Sequence, residues 1–129
     1  MSKISYHILR IGMAVTFLWI GIVILKEPEV WGGYIGSWAI DLLPLPIKEI
    51  MIGTAILDIA IGVLFLVDSF VWIASLVASI HLIIVLIVTG ITDVTVRDIG
   101  ILATTLALMI ETLPQSFIEK IRSWQKGDK

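Results

Sequence analysis

The chain has 129 residues, 58% hydrophobic and 16% charged, with a mean hydropathy of +1.04. A water-soluble fold of this size has too little interior to hide that much apolar surface, so composition points to an integral membrane protein. The formal net charge of −2 carries no nucleic-acid signature, and the absence of cysteine removes dithiol redox chemistry, thiolate metal ligation and disulfide staples.

Four apolar runs, 8–25, 50–67, 70–90 and 96–113, approach the roughly 20 residues a helix needs to cross a bilayer. They are continuous rather than alternating, which excludes a barrel. The expectation is an all-α polytopic membrane protein. It would be an antiparallel four-transmembrane-helix bundle with an interfacial helix in the first loop, and a single domain over 1–129.

Lys3 and Arg10 precede the first run as in a secretory signal, but the run closes on Lys26, Glu27 and Pro28 without a small-x-small cleavage pattern. It therefore reads as a retained span. The connection after it is long and bounded by Pro28, Pro44 and Pro46. Trp31, Ile35, Trp38 and Leu42 fall at helical spacing, which predicts a short interfacial helix over 30–43, serving as an aromatic belt anchor or as a lid over a cavity. Spans two and three are joined around Asp68 and Ser69, and spans three and four by 91–95, so these pairs should be antiparallel neighbours. After Pro114 the tail, 114–129, repeats Ile118, Ile121 and Trp124 at helical spacing and should lie on the membrane surface. The side holding both termini carries Lys3, Arg10, Lys120, Arg122, Lys126 and Lys129 against Lys26, Lys48 and Arg97 on the other. Both termini are thus expected in the cytoplasm, with the protein in the plasma membrane.

The most informative residue is Asp58, in the middle of the second run. A carboxylate at that depth costs about 3 kcal/mol on insertion scales, so it is expected to face the bundle interior with a partner. His81 arrives at similar depth on the third span. Thr54, Asp58 and Gly62 share one helix face, and Ala74, Ala78 and His81 another. The pair could exchange protons, or serve only as polar glue that fixes helix register. Two ligands on adjacent helices fall short of a metal site. On the fourth span Arg97, Thr104 and Glu111 recur every seven residues, and Glu111 is expected to pair with Arg10 at the inner end. At the outer end Arg97 and Asp98 adjoin Asp93, Lys26 and Glu27. These groups either close that face as a salt-bridge cluster or present Arg97, with Trp38, to an anionic or quinone-type head group.

Three segments resemble DoxX/DoxD-like membrane proteins: Ile8-Leu-Arg-Ile-Gly-Met-Ala-Val-Thr-Phe-Leu-Trp-Ile-Gly21, Leu57-Asp-Ile-Ala-Ile-Gly-Val-Leu-Phe-Leu66, and Val96-Arg-Asp-Ile-Gly-Ile-Leu-Ala-Thr-Thr-Leu-Ala-Leu108. Their order and spacing cover nearly the whole chain. The resemblance implies a four-helix membrane bundle associated with redox complexes, one branch of the family being the membrane part of a thiosulfate:quinone oxidoreductase. By matching position it carries over Arg10, Gly21, Asp58, Gly62, Arg97 and Asp98. This chain has Asp58 where the family typically has Glu, its Lys after the first-span glycine is displaced to Lys26, and it is shorter than the thiosulfate-oxidising members.

The leading expectation is a membrane subunit of an oxidoreductase that meets quinone at Asp58 and His81, with Arg97, Asp98, Trp38, Thr54 and Thr104 around the ligand. The alternative is a non-catalytic assembly subunit docked on other membrane proteins or on copies of itself. A small proton-coupled exporter comes third, because its aromatics would have to line a cavity and here most lie near the interfaces.

Overall fold

In lipid every backbone N–H and C=O must find a partner within the chain, which favours helices with all bonds internal to the segment. The structure, a computed structural model, describes residues 1–127, and these form seven helices and no strand. In chain order they are α1 (Lys3–Lys26), α2 (Pro28–Gly32), α3 (Ser37–Ile40), α4 (Ile47–Leu66), α5 (Val71–Thr89), α6 (Val96–Glu111) and α7 (Gln115–Gly127). Residues 128 and 129 of the expected tail lie outside the described residues. Among the described residues α1, α4 and α5 are long and apolar enough to cross a membrane, and a fourth span results if α6 and α7 are taken as one bent helix pair.

The most extensive packing is between α1 and α4. On α1 the buried residues are Arg10, Ala14, Phe17, Gly21 and Ile24, and on α4 Met51, Ala55, Asp58, Ile61, Gly62 and Phe65. Both series step by three and four, the rhythm that keeps one face of a helix against a neighbour. Two glycines bring the backbones together. A Cβ on Gly21 would stand 2.7 Å from Ile59 Cγ1 and 2.9 Å from the Ala55 carbonyl oxygen; one on Gly62 would meet Leu18 Cγ at 2.7 Å and the Leu18 amide nitrogen at 2.9 Å. Phe17 and Phe65 then fill the space beside them, their ring centres 5.9 Å apart.

The short link from α4 to α5 is tied to α1. Asp68 and Phe70 both adopt positive φ, 56° and 50°, a conformation that costs an ordinary side chain about 1–2 kcal/mol. Asp68 closes α4 in a Schellman turn: its amide donates to the Phe65 carbonyl, and the Ser69 amide to the Leu64 carbonyl at 3.1 Å. The Asp68 carboxylate accepts the Tyr6 hydroxyl proton at 2.6 Å and lies 3.4 Å from Arg10 Nε. Arg10 also donates to the Phe65 carbonyl and, at 3.0 Å, to that of Leu66, satisfying acceptors that a helix end leaves open.

Two expected elements differ. The first loop holds no single helix over 30–43. Gly32, Gly33 and Gly36 break it into α2 and α3, and the Gly36 amide, with extended backbone, donates to the Val88 carbonyl at the end of α5 at 2.8 Å. Trp31 and Trp38 therefore do not share a helical face. The fourth apolar run stops at Glu111 instead of 113. Pro114 has no N–H to continue the ladder, and α7 departs at 86° to α6. At 1.5 Å per residue, the 16 residues of α6 span about 24 Å, short of the roughly 30 Å of hydrocarbon. Along α7 Phe117, Ile121 and Trp124 are exposed, and the Phe117 ring lies 6.2 Å from Trp72.

Glycine position should decide tolerance. Gly21→Ala and Gly62→Ala are each expected to destabilise the protein by about 1–3 kcal/mol through overpacking, because the Cβ meets backbone atoms that cannot yield. Gly53→Ala, with nothing within 4 Å of its Cβ, should be neutral or gain up to about 1 kcal/mol. Denaturant titration in mixed micelles would measure all three.

Candidate functional site

Asp58 lies on the buried face of α4 between Ala55 and Gly62, so the close approach of α1 sets its rotation and depth. It is 3% exposed. His81, on α5, brings Nε2 to 3.4 Å from Asp58 Oδ1. The pair expected from different helices does come together. The approach lacks the alignment of a hydrogen bond, and Asp58 Oδ1 has no hydrogen-bond partner among the described residues. A buried polar atom left open is uncommon and calls for a reason, such as a bound group.

Two other buried side-chain atoms are also open, one of them with an ionic neighbour at the same 3.4 Å that separates Asp58 from His81. Arg10 Nε faces Asp68 at 3.4 Å, and Ser75 Oγ sits on a helix where it can turn to the carbonyl one turn earlier. Of the three, Asp58 lines the cavity between the helices.

That cavity measures ≈ 250 Å³ and is walled by α1, α4, α5 and α6, with the first loop across one end. Aliphatic side chains line most of it. Its polar groups are few: Asp58, His81, Thr54, Arg97 and Asp98, together with the threonines Thr16, Thr89 and Thr95. Trp31 and Tyr34 of the first loop close it, their rings 5.8 Å apart. An apolar recess with a handful of convergent polar groups is the usual form of a small-molecule site.

Five of the residues expected at a ligand, Asp58, His81, Thr54, Arg97 and Asp98, line this cavity. Two do not. Trp38 is 55% exposed and turned away, because the loop bends at Gly36, and Thr104 Oγ1 is returned to the Gly100 carbonyl of its own helix at 2.9 Å. The seven-residue stripe on α6 is thus divided, with Arg97 at the cavity, Thr104 outside it and Glu111 at the far end. Trp31, expected as belt anchor or lid, lines the cavity, and so does Tyr34, for which the sequence offers no role beyond an aromatic near the interface. Their sequence signal, aromatics in a proline-bounded loop, is the same as that of Trp38, and only the glycine breaks separate them.

The ionic expectations also change. Arg10 does not pair with Glu111. It is turned toward the end of α4 and Asp68, while Glu111 Oε1 lies 2.9 Å from the Met1 amino group. At the other end no ion pair joins Lys26, Glu27, Asp93, Arg97 and Asp98 among the described residues. What organises that end is a threonine box. Thr92 and Thr95 exchange amide-to-hydroxyl hydrogen bonds at 2.8 and 3.1 Å, and Thr95 Oγ1 donates to the Gly90 carbonyl at 2.6 Å, fixing the entry to α6 beside Arg97. Deeper in, Ser79 and Thr105 hydroxyls meet at 2.9 Å and join α5 to α6 below the cavity residues.

Set against models of protein families, curated proteins and solved structures, the chain matches none.

Arg10→Met should cost about 1–3 kcal/mol, the penalty for stranding buried acceptors, whereas Glu111→Gln should stay within about 0.5 kcal/mol of the parent. Equal effects of the two in thermal unfolding would contradict this division of roles.

Proposed function

We propose that this protein is the quinone-interacting membrane subunit of an oxidoreductase, binding the ring of a lipid-soluble quinone in the cavity bordered by Asp58 and His81. The observation that carries the reading is Asp58 itself, a carboxyl group buried beside His81 on the wall of an apolar recess, with its Oδ1 lacking a hydrogen-bond partner among the described residues. A group used only to hold two helices together would be expected to have both oxygens satisfied. The resemblance of the three segments to DoxX/DoxD-like proteins supports the same class. With it comes the finer architecture: four spans in antiparallel order in the plasma membrane, both termini cytoplasmic.

A quinone supplies two-electron, two-proton redox chemistry; the electrons would reach it from a partner subunit, since this chain has no cysteine to hold a cluster. The chain's own residues hold and move the protons. His81 Nε2 and Asp58 Oδ1 are near enough to pass one between them and each can present it to a ring oxygen. Arg97, at the rim, offers N–H donors to the second oxygen, with Asp98 next to it in sequence. Trp31 and Tyr34 cover the recess and keep water from the exchange.

One feature favours a second reading, a proton-coupled carrier. The aromatics Trp31 and Tyr34 line the same cavity as the carboxylate, as a carrier for a lipophilic substrate requires. An assembly subunit without a ligand would leave the open carboxylate oxygen unexplained.

Extraction and mass analysis of lipids from gently purified protein separates these readings. The expected result is a quinone or quinol near one per chain in the wild type, reduced at least about tenfold in Asp58→Asn, which has no carboxylate to accept a charge-assisted hydrogen bond from the quinol hydroxyl. No quinone in either protein, with a partner retained by both, would leave the assembly role.

A further inference from the structure

A cavity of ≈ 250 Å³ is below the roughly 300–1,000 Å³ of pockets that enclose a whole drug-sized ligand, so it takes a single substituted ring and little more. A ligand that reaches it through the membrane must carry its tail elsewhere. A place for that tail lies next to the cavity. A second, open groove runs along the seam between α1 and α6, bordered by Val15, Thr16, Trp19, Ile20, Arg97 and Ile101. Four of these, Thr16, Ile20, Arg97 and Ile101, also line the cavity, so the groove and the recess abut across the same side chains.

The seam is suited to being a doorway. α1 presses its glycine face on α4 and meets α6 much more sparsely. Val15 and Trp19, which border the groove alone, are 60% and 71% exposed, on the side of α1 turned away from its buried face. Trp19 also stands about two turns in from the end of α1, away from the level at which belt tryptophans anchor a helix. Arg97 stands at the junction, bordering both spaces, so a polar head passing from lipid to cavity meets its guanidinium on the way.

We infer that the α1–α6 seam is a lateral portal and tail groove: the ligand is an amphiphile with a one-ring head and a long hydrocarbon tail, which enters from the bilayer and leaves its tail along Val15 and Trp19. This rests on the ring-binding reading of the cavity and adds to it the route and the tail. The tail gains little by leaving lipid for an equally apolar groove, so its function there is to let the head stay bound while the tail remains in the membrane.

The chain has no cysteine, so single cysteines report cleanly. Val15→Cys, Trp19→Cys and, on the exposed side of α4, Ile56→Cys would be alkylated with a lipid-soluble maleimide in nanodiscs. Each would be treated with no addition, with a tailless dimethoxy-benzoquinone, and with the same head bearing a decyl tail, and binding of both quinones would be measured separately by retention. At tenfold excess over the dissociation constant, the tailed quinone should slow labelling at Val15→Cys and Trp19→Cys by about tenfold, following occupancy, and leave Ile56→Cys unchanged. The tailless quinone should bind without protecting either seam position. If both quinones bind and the seam cysteines react at the unliganded rate, or are protected equally by the tailless compound, the portal is overturned while the ring site stands. If neither quinone binds, the ring site fails and the portal with it.

Discussion

Two helices in lipid have no hydrophobic reason to touch, because hydrocarbon tails are as apolar as leucine; what holds them is close packing and polar contact. The α1–α4 seam supplies both. Gly21 and Gly62 remove the side-chain atoms that would hold the backbones apart, Ala14 and Ala55 continue the small-residue face, and Arg10 closes the end by taking up the carbonyls of Phe65 and Leu66. The left-handed residues at Asp68 and Phe70 are held in place because the Asp68 carboxylate is bound by Tyr6 of the same neighbour. The direction in which α5 leaves the turn therefore depends on α1.

The candidate site follows from that seam. Asp58 shares its helix face with Ala55 and Gly62, so the register that buries the glycine also buries the carboxylate. α5 returns with Ala74, Ser75, Ala78 and Ser79 buried and His81 at the edge of that face. Ser79 joins Thr105 and so positions α6, whose first turn brings Arg97 and Asp98 to the cavity. The last wall is the first loop, held by the Gly36 hydrogen bond to Val88 and by Gly32 against Ile47. Each wall is fixed by small or hydroxyl side chains, and the aliphatic residues fill what remains.

Much of this was legible in the sequence because it depends on hydropathy and on depth. The long apolar runs gave α4 and α5 nearly to their ends and all but the first turn of α1, and the short turn between the second and third runs brought Asp58 to His81. What sequence periodicity could not supply was which direction a side chain turns when two partners are available. Glu111 lies level with the Met1 amino group, nine residues before Arg10, and Arg10 is drawn to the open carbonyls at the end of α4, a feature created by a turn whose residues, Asp68 and Phe70, carry no glycine to announce it. The first loop was read as one helix because its aromatics fall at helical spacing; the glycines among them outweigh that spacing, since each adds backbone freedom that a helix must remove. The fourth run was read two residues too long because apolar composition continues to Leu113, while Pro114 decides where hydrogen bonding ends.

The handling of polar groups inside this chain is uneven in an informative way. The hydroxyls of Thr104 and Thr112 return to carbonyls one turn earlier, and in the Ser79–Thr105 pair one hydroxyl donates to a carbonyl of its own helix and the other donates across to its partner, which removes their cost without creating a site. Arg10 is spent on helix ends. Asp58 is treated differently: it is brought to 3% exposure on the wall of a cavity, given a neighbour at 3.4 Å in poor alignment, and left with its Oδ1 unpaired among the described residues. A hydroxyl or an alanine at this position would pack against α1 as well and would avoid a penalty of about 3 kcal/mol for a carboxylate in the membrane interior. The chain thus carries a cost at one residue that its packing does not require, and the groups arranged around that residue, an imidazole, a guanidinium and two aromatic rings, are those that would recognise a flat polar ring.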